Sequence, residues 1–291
     1  MTLDKLAKIT ELKARKDAGA LVHRIHSSPD ARTRTMTLRP LLLVLFTVAL
    51  GAMEFSTADV TYQDGNLALT GFLATPATAA AAPGVLVVHE WWGNNDYSRR
   101  RAKELAEAGY VAFALDMYGT APTTDFAKAA ELSKPFYEDR ALMLRRIRLG
   151  LDQLRQAKGV DQQRLAAIGF CFGGACVLGL ARDGEDLAGV VSFHGGLRTS
   201  VKALPKTVKA PLLVLHGGAD TFVPPAEVAD FIEEMTAAQA TWRMEVFGSA
   251  VHAFTNPAAG SDPAKGIAWD KDAEHRAFAA MYAFLEECFH R

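Results

Sequence analysis

The segment Gly169-Phe170-Cys171-Phe172-Gly173-Gly174 stands between an apolar β-type run and an alanine-rich helical run, and it constrains the fold more than any other stretch. A strand that turns at once into a helix around one central residue has no room for a Cβ two positions before or after that residue. Glycine fills both positions here, at 169 and 173. Such a turn needs a strand set in a sheet and a helix laid back against it, and the remaining sequence keeps the same alternation. Residues 58–62 and 67–73 alternate apolar and polar around Asp64-Gly65, which predicts an opening antiparallel hairpin. Strands are expected at 84–89, 111–115, 165–170, 189–193, 211–216 and 242–247. Helices are expected at 97–108, capped by Asn95 or Asp96, and at 125–132, 140–157, 176–182, 225–238 and 271–289. The order defines an α/β fold with a mostly parallel central sheet and helices on both faces.

Composition narrows the function classes. Lys and Arg number 32 against 33 Asp and Glu, a net charge of −1, so no global field gathers nucleic acid or an anionic membrane surface. With 49% hydrophobic and 22% charged residues the chain has ample material for a core, which excludes disorder and collagen. Cys171, Cys176 and Cys288 are odd in number and lack the CxxC doublets of zinc or redox sites, and no HExxH-like spacing occurs, so no metal is expected.

The first 35 residues are polar and basic; then Arg39 and Pro40 precede an apolar run at 41–50, with the small residues Ala49 and Gly51 at its end. That is the layout of a secretory signal peptide at 36–51. The apolar stretch 41–53 falls short of the about 20 residues that span a bilayer, so no stable membrane span is expected. Translation from Met36 would send the mature protein to the periplasm or outside the cell; otherwise 41–53 is a buried or interfacial helix of a cytoplasmic protein. Residues 1–52 therefore read as an N-terminal extension and 53–291 as one domain without internal repeat or linker.

The chemistry starts at Cys171. A thiol at a helix N-terminus is favoured as thiolate by the backbone dipole, and the next amide, that of Phe172, points where an acyl oxyanion would form. Strand-to-helix elbows of this kind are followed along the chain by an acid and then a histidine, each on a loop after a strand. Asp220 and His252 meet that order, after the strands at 211–216 and 242–247. Taken alone, Cys171 is a small buried residue and His252 a loop histidine packed on Phe254; three residues in the required order after three strands favour a triad. Glu90 ends the strand at 84–89 and opens toward the same sheet edge as the elbow, with the Trp91 amide as second oxyanion donor. The competing account of Glu90 is a helix cap or a partner of Arg99 or Arg100. His89, His194 and His216 end buried strands and are expected to be hydrogen-bonded structural residues.

Together, Glu90 in HEWWG, the GFCFGG elbow, the Asp220 loop HGGADTFVP and the VHAF histidine resemble the dienelactone hydrolase family, also called carboxymethylenebutenolidases, over about residues 58–289. The resemblance implies an α/β-hydrolase fold and hydrolysis of a small-molecule ester or lactone through a thioester acyl-enzyme, without metal or organic cofactor. It implies that Cys171 attacks the carbonyl, that His252 and Asp220 assist, and that Glu90 holds the resting thiol until substrate frees the thiolate. The departures also carry information. Where the prototype has a carboxylate-binding arginine four residues after the catalytic histidine, this chain has Asn256, and Ala253 replaces a hydroxyl residue. A neutral side chain cannot form the bidentate pairing that a guanidinium makes with a carboxylate. Trp91 and Trp92 add apolar bulk, so the expected substrate is a small, more apolar ester or lactone rather than dienelactone itself. The segment 120–139 is the expected cap, and Trp92, Tyr118, Phe136 and Asn256 are the expected pocket walls. A different class, a ligand-binding or thiol-sensing protein on this scaffold, would use Cys171 for reversible oxidation but would need neither Asp220 nor His252. The sequence carries no signal for oligomeric state.

Overall fold

The computed structural model describes residues 54–78 and 80–290. The N-terminal extension expected at 1–52, with its signal pattern at 36–51, lies outside them. Among the described residues the strands are β1 (Phe55–Asp64), β2 (Leu67–Pro76), β3 (Ala82–Val88), β4 (Val111–Ala114), β5 (Val160–Phe170), β6 (Gly189–Phe193), β7 (Leu212–Gly217) and β8 (Trp242–Phe247). They form one sheet in the order β1-β2-β4-β3-β5-β6-β7-β8. β1 with β2, and β2 with β4, pair antiparallel; every later pairing is parallel. The helices are α1 (Asp96–Glu107), α2 (Phe126–Glu138), α3 (Arg140–Gln156), α4 (Phe172–Arg182), α5 (Pro225–Ala237) and α6 (Lys271–Phe289).

Strand periodicity builds the two layers. In β3, Leu86 and Val88 belong to one core with Ile147 and Leu151 of α3, Val177 of α4 and Phe231 of α5. Their neighbours Val85 and Val87 belong to the other, with Leu105 of α1 and Met281 and Phe284 of α6. A strand covered on both faces has no polar face to present, which is why β3 reads as an unbroken apolar run. Each such fully buried side chain stabilises the fold by about 1.5–3 kcal/mol relative to exposure. The chain passes from β3 outward to β4, then returns to lay β5 on the other side of β3. The order reverses between β3 and β5, and ligands of open parallel sheets bind at the carboxyl ends of strands flanking such a reversal.

Some boundaries differ from the sequence expectation. β5 begins at Val160 rather than Leu165, because Val160 pairs with Ala82 before a register shift at Pro83/Gly84 lets Leu165 pair with Gly84. The polar run Asp161–Arg164 hides that first half. The expected cap at 120–139 is largely α2, which continues past residue 132 and through Pro135. Proline removes one ladder hydrogen bond there, near the helix end, while Phe136 gains burial against Tyr118 and Phe172.

Candidate active site

The turn from β5 into α4 places Cys171 at φ +52°, ψ −113°, a strained conformation for a side-chain-bearing residue. Its neighbours show why glycine is required. A Cβ at Gly169 would lie 2.1 Å from the Gly173 carbonyl oxygen, and one at Gly173 would lie 2.2 Å from the Val88 carbonyl oxygen. The turn is held by the Cys171 N–H, which donates to the Phe193 carbonyl at 3.0 Å and to His194 Nδ1 at 3.2 Å.

The half-buried Cys171 Sγ lies 3.0 Å from His252 Nε2, and His252 Nδ1 lies 2.8 Å from Asp220 Oδ2. Asp220 sits in the turn after β7, where its Oδ1 accepts the N–H groups of Phe222 (2.8 Å) and Val223 (3.3 Å). These bonds aim the other oxygen at the imidazole. His252 follows β8 and is pinned on both sides of its peptide: its N–H donates to Gly266 O, and its carbonyl accepts from Ala268 N–H. Burial pushes the His252 imidazole down, but the Cys171 sulfur and the Asp220 carboxylate outweigh it and raise the group well above its ordinary value. The three residues singled out in the sequence are thus brought into one hydrogen-bonded line.

Phe172 is the first residue of α4, so its N–H has no intrahelical partner. The Trp91 N–H, in the turn after β3, donates to no group among the described residues. Neither amide donates to another group among the described residues.

Glu90 is fully buried, but its partner differs from the expected one. No hydrogen bond joins it to Cys171; its Oε2 accepts from Asn256 Nδ2 at 2.6 Å, and its Oε1 has no partner among the described residues. It is also neither a helix cap nor a partner of Arg99 or Arg100, which bind Asp59 and Glu104. Burial dominates its titration and raises the carboxyl to about 7, against the lowering effects of Asn256, His252 and Arg101. Asn256, expected at the pocket, holds Glu90 in place. It is buried with its amide spent on Glu90 and its Oδ1 on Ala258 N–H. Tyr118 and Phe136, also expected at the pocket, pack with Phe172. Both are buried in an aromatic stack under Phe172, and Tyr118 Oη donates to the Trp91 carbonyl. Trp92 is half-buried and packs on Trp91 and Phe126.

The sequence reading left two contributors out of the site. His194, expected to be structural, has φ +39° and touches the Cys171 backbone through Nδ1 while Nε2 meets Thr255 Oγ1 at 2.8 Å. Acceptance at Nδ1 assigns the proton to Nε2. Burial, then His252 and Arg101, hold this imidazole well below its ordinary value, so it is neutral. Thr255, three residues after His252, also takes Tyr97 Oη at 2.6 Å and the Arg101 guanidinium on its carbonyl at 2.8 Å. The only sequence signal for His194 was its position at the end of the strand beside the elbow. No cluster of three or more metal-ligating side chains occurs among the described residues, and no described helix is long and apolar enough to cross a membrane.

A nucleophile elbow after a central strand, with acid and histidine on the loops after β7 and β8, defines an α/β hydrolase. The chain belongs to the dienelactone hydrolase family, whose model matches residues 69–289. It is similar to a solved dienelactone hydrolase-like promiscuous phosphotriesterase from metagenomic libraries: 37% identity, TM-score 0.77, covering 82% of this chain and all of that one. It is also similar to the solved structure of m3DLH (34% identity, TM-score 0.76, 82% and 100% covered). Among curated sequences it resembles a protein of Aquifex aeolicus assigned to the carboxymethylenebutenolidases, at 26% identity over 68% of this chain and 86% of the relative.

Proposed function

We propose that the protein hydrolyses small carboxylic esters or lactones with Cys171 as nucleophile and a thioester acyl-enzyme as intermediate. The observation that carries this reading is the line from Cys171 Sγ to His252 Nε2 (3.0 Å) and from His252 Nδ1 to Asp220 Oδ2 (2.8 Å), set on a strained elbow. The thiol proton passes to His252 Nε2, where the raised affinity for a proton favours the imidazolium. Sulfur attacks the carbonyl carbon, and the oxyanion is received by the N–H groups of Phe172 and Trp91. The C–O bond breaks as the departing alkoxide takes the proton from His252, leaving the acyl group on sulfur. Water then attacks the thioester and gives its proton to His252; the C–S bond breaks, and the acid leaves with the thiolate restored. Asp220 holds the imidazole in the tautomer that this shuttle needs.

Glu90 and Asn256 form the wall on the β3 side of this site. Asn256 takes up Glu90, so the position that bears a carboxylate-binding arginine in the family prototype offers no cation to substrate. The reading is tested with p-nitrophenyl acetate and simple lactones. Cys171→Ala should lose at least about 10³-fold in kcat/KM with its circular dichroism unchanged, in the range seen when triad nucleophiles are removed. Undiminished hydrolysis by that variant would overturn the proposal. Export through residues 36–51 is a separate proposal, checked by N-terminal sequencing of protein from its native host: a start near Ala52 supports it, and a start at Met1 refutes it.

A further inference from the structure

Among the described residues, the exposed aromatic side chains are Phe126, Tyr137 and Phe222, at 59%, 60% and 58% exposure. All of them stand at the candidate site. Phe222 packs on His252 with ring centroids 5.1 Å apart and planes tilted by 46°. Tyr137 lies edge-on to Phe172 at 5.6 Å and within electrostatic reach of the Cys171 sulfur. Phe126 stands edge-on to both half-buried tryptophans, 5.6 Å from Trp91 and 5.1 Å from Trp92. Exposed aromatic surface is costly in water, and its concentration around a nucleophile marks a place where apolar groups bind.

Charge sharpens the inference. The cation that bears electrostatically on Glu90 and His194 is Arg101. Its two terminal nitrogens bind Glu104, Glu274 and the Thr255 carbonyl, its Nε is buried without a partner among the described residues, and its face lies on Phe278 at 4.0 Å. Among the described residues, no Lys or Arg stacks on any of the five collar rings. A carboxylate on the substrate would give up its water for rings that carry no stacked cation.

We propose that the substrate class is the uncharged aryl ester, held in this aromatic collar; the proposal rests on the ester-hydrolase reading above. Orientation follows from the chemistry. The leaving oxygen must take its proton from His252, so the aryl alcohol lies on the exposed face of Phe222. The carbonyl oxygen points to the Trp91 and Phe172 amides, so the acyl chain runs along Trp92 and Phe126.

The test uses ratios, so that the intrinsic reactivity of each ester cancels between enzymes. Loss of one aromatic contact changes kcat/KM by roughly two- to twelvefold beyond the effect of its area. In Phe222→Ala the kcat/KM ratio of phenyl acetate to ethyl acetate should fall by that factor. In Phe126→Ala the ratio of p-nitrophenyl phenylacetate to p-nitrophenyl acetate should fall likewise, and Phe126→Tyr should restore it. The wild type should prefer methyl 4-acetoxybenzoate to the free 4-acetoxybenzoate anion by roughly tenfold or more. Unchanged ratios in both alanine variants, or faster turnover of the anion, would overturn the proposal. Cys171→Ala is run on the same esters: if it loses turnover while the ratios stand unchanged, the collar alone is refuted, and if it keeps turnover, the cysteine-hydrolase reading falls and the collar with it.

Discussion

Glu90 is a carboxyl group whose surroundings work against its charge. It is 3% exposed, one oxygen has no partner, and burial raises its titration from the ordinary 4.5 to about 7. The folded state therefore keeps this proton to higher pH than the unfolded chain does. The associated stability is complete below about pH 4.5, falls as the pH rises toward 7, and above that the fold carries the whole penalty, about 3 kcal/mol. Glu90→Gln preserves an acceptor for Asn256 and removes the titration. Urea denaturation should show the variant more stable than wild type at pH 8 by up to about 3 kcal/mol, with the gap closing near pH 4.5. An equal pH slope in both proteins would show that Glu90 titrates normally. The sequence made Glu90 conspicuous as an acid at the end of a buried strand, but not its partner. Asn256 lies 166 positions away, and only the return of the loop after β8 to the β3 edge brings the two together. The neutral residue at 256 first read as the loss of a substrate contact; in the fold it is the donor to one of the two Glu90 oxygens.

Between elements, the tightest constraints are backbone approaches and one threonine. Gly173 packs α4 directly on β3, where an added Cβ would meet Val88 O at 2.2 Å and His89 O at 2.6 Å. Neither carbonyl can retreat without breaking a central strand, so Gly173→Ala should destabilise by more than about 3 kcal/mol. Gly159→Ala, at φ +83° with open space around it, should lose only the left-handed strain of about 1–2 kcal/mol. Thermal denaturation of the pair checks the contrast; equal losses would contradict the crowding argument. Thr255 joins Tyr97 and Arg101 of α1 to His194 after β6 and to the loop that carries His252. Thr255→Val keeps the volume and strands the His194 Nε2 donor, while Tyr97 Oη keeps the main-chain carbonyl of residue 255, a loss of about 1–3 kcal/mol by the same measurement. A stability within about 0.5 kcal/mol of wild type would show that these bonds hold nothing together. Elements were legible where periodicity was strong: β6, β8 and α6 fall at the expected bounds, and β3 lies within two residues of them. The first half of β5 and the last turns of α2 were hidden by a polar run and by Pro135, because register shifts and tertiary burial leave no local pattern.

At the scale of the molecule, the sheet is the device that assembles the site. Its order reverses between β3 and β5, which puts the Cys171 elbow in the middle of the sheet and Glu90 and Trp91 at the next strand end. β7 and β8 then deliver Asp220 and His252 from the same edge. The hydrogen-bonded line of Cys171, His252 and Asp220 was legible in the sequence because each member sits just past a strand, in the order that such a sheet imposes. The aromatic rim could not, because Phe126, Tyr137 and Phe222 come from α2 and a turn whose packing no local pattern specifies. The account as a whole depends on a covalent bond to one sulfur. Rapid-quench reaction with p-nitrophenyl acetate, followed by peptide mass spectrometry, tests that directly. An acetyl group on the peptide carrying Cys171, with a burst of p-nitrophenol equal to the enzyme and absent from Cys171→Ala, is the predicted result; a burst that persists in Cys171→Ala, or acetyl found on another residue, would contradict it.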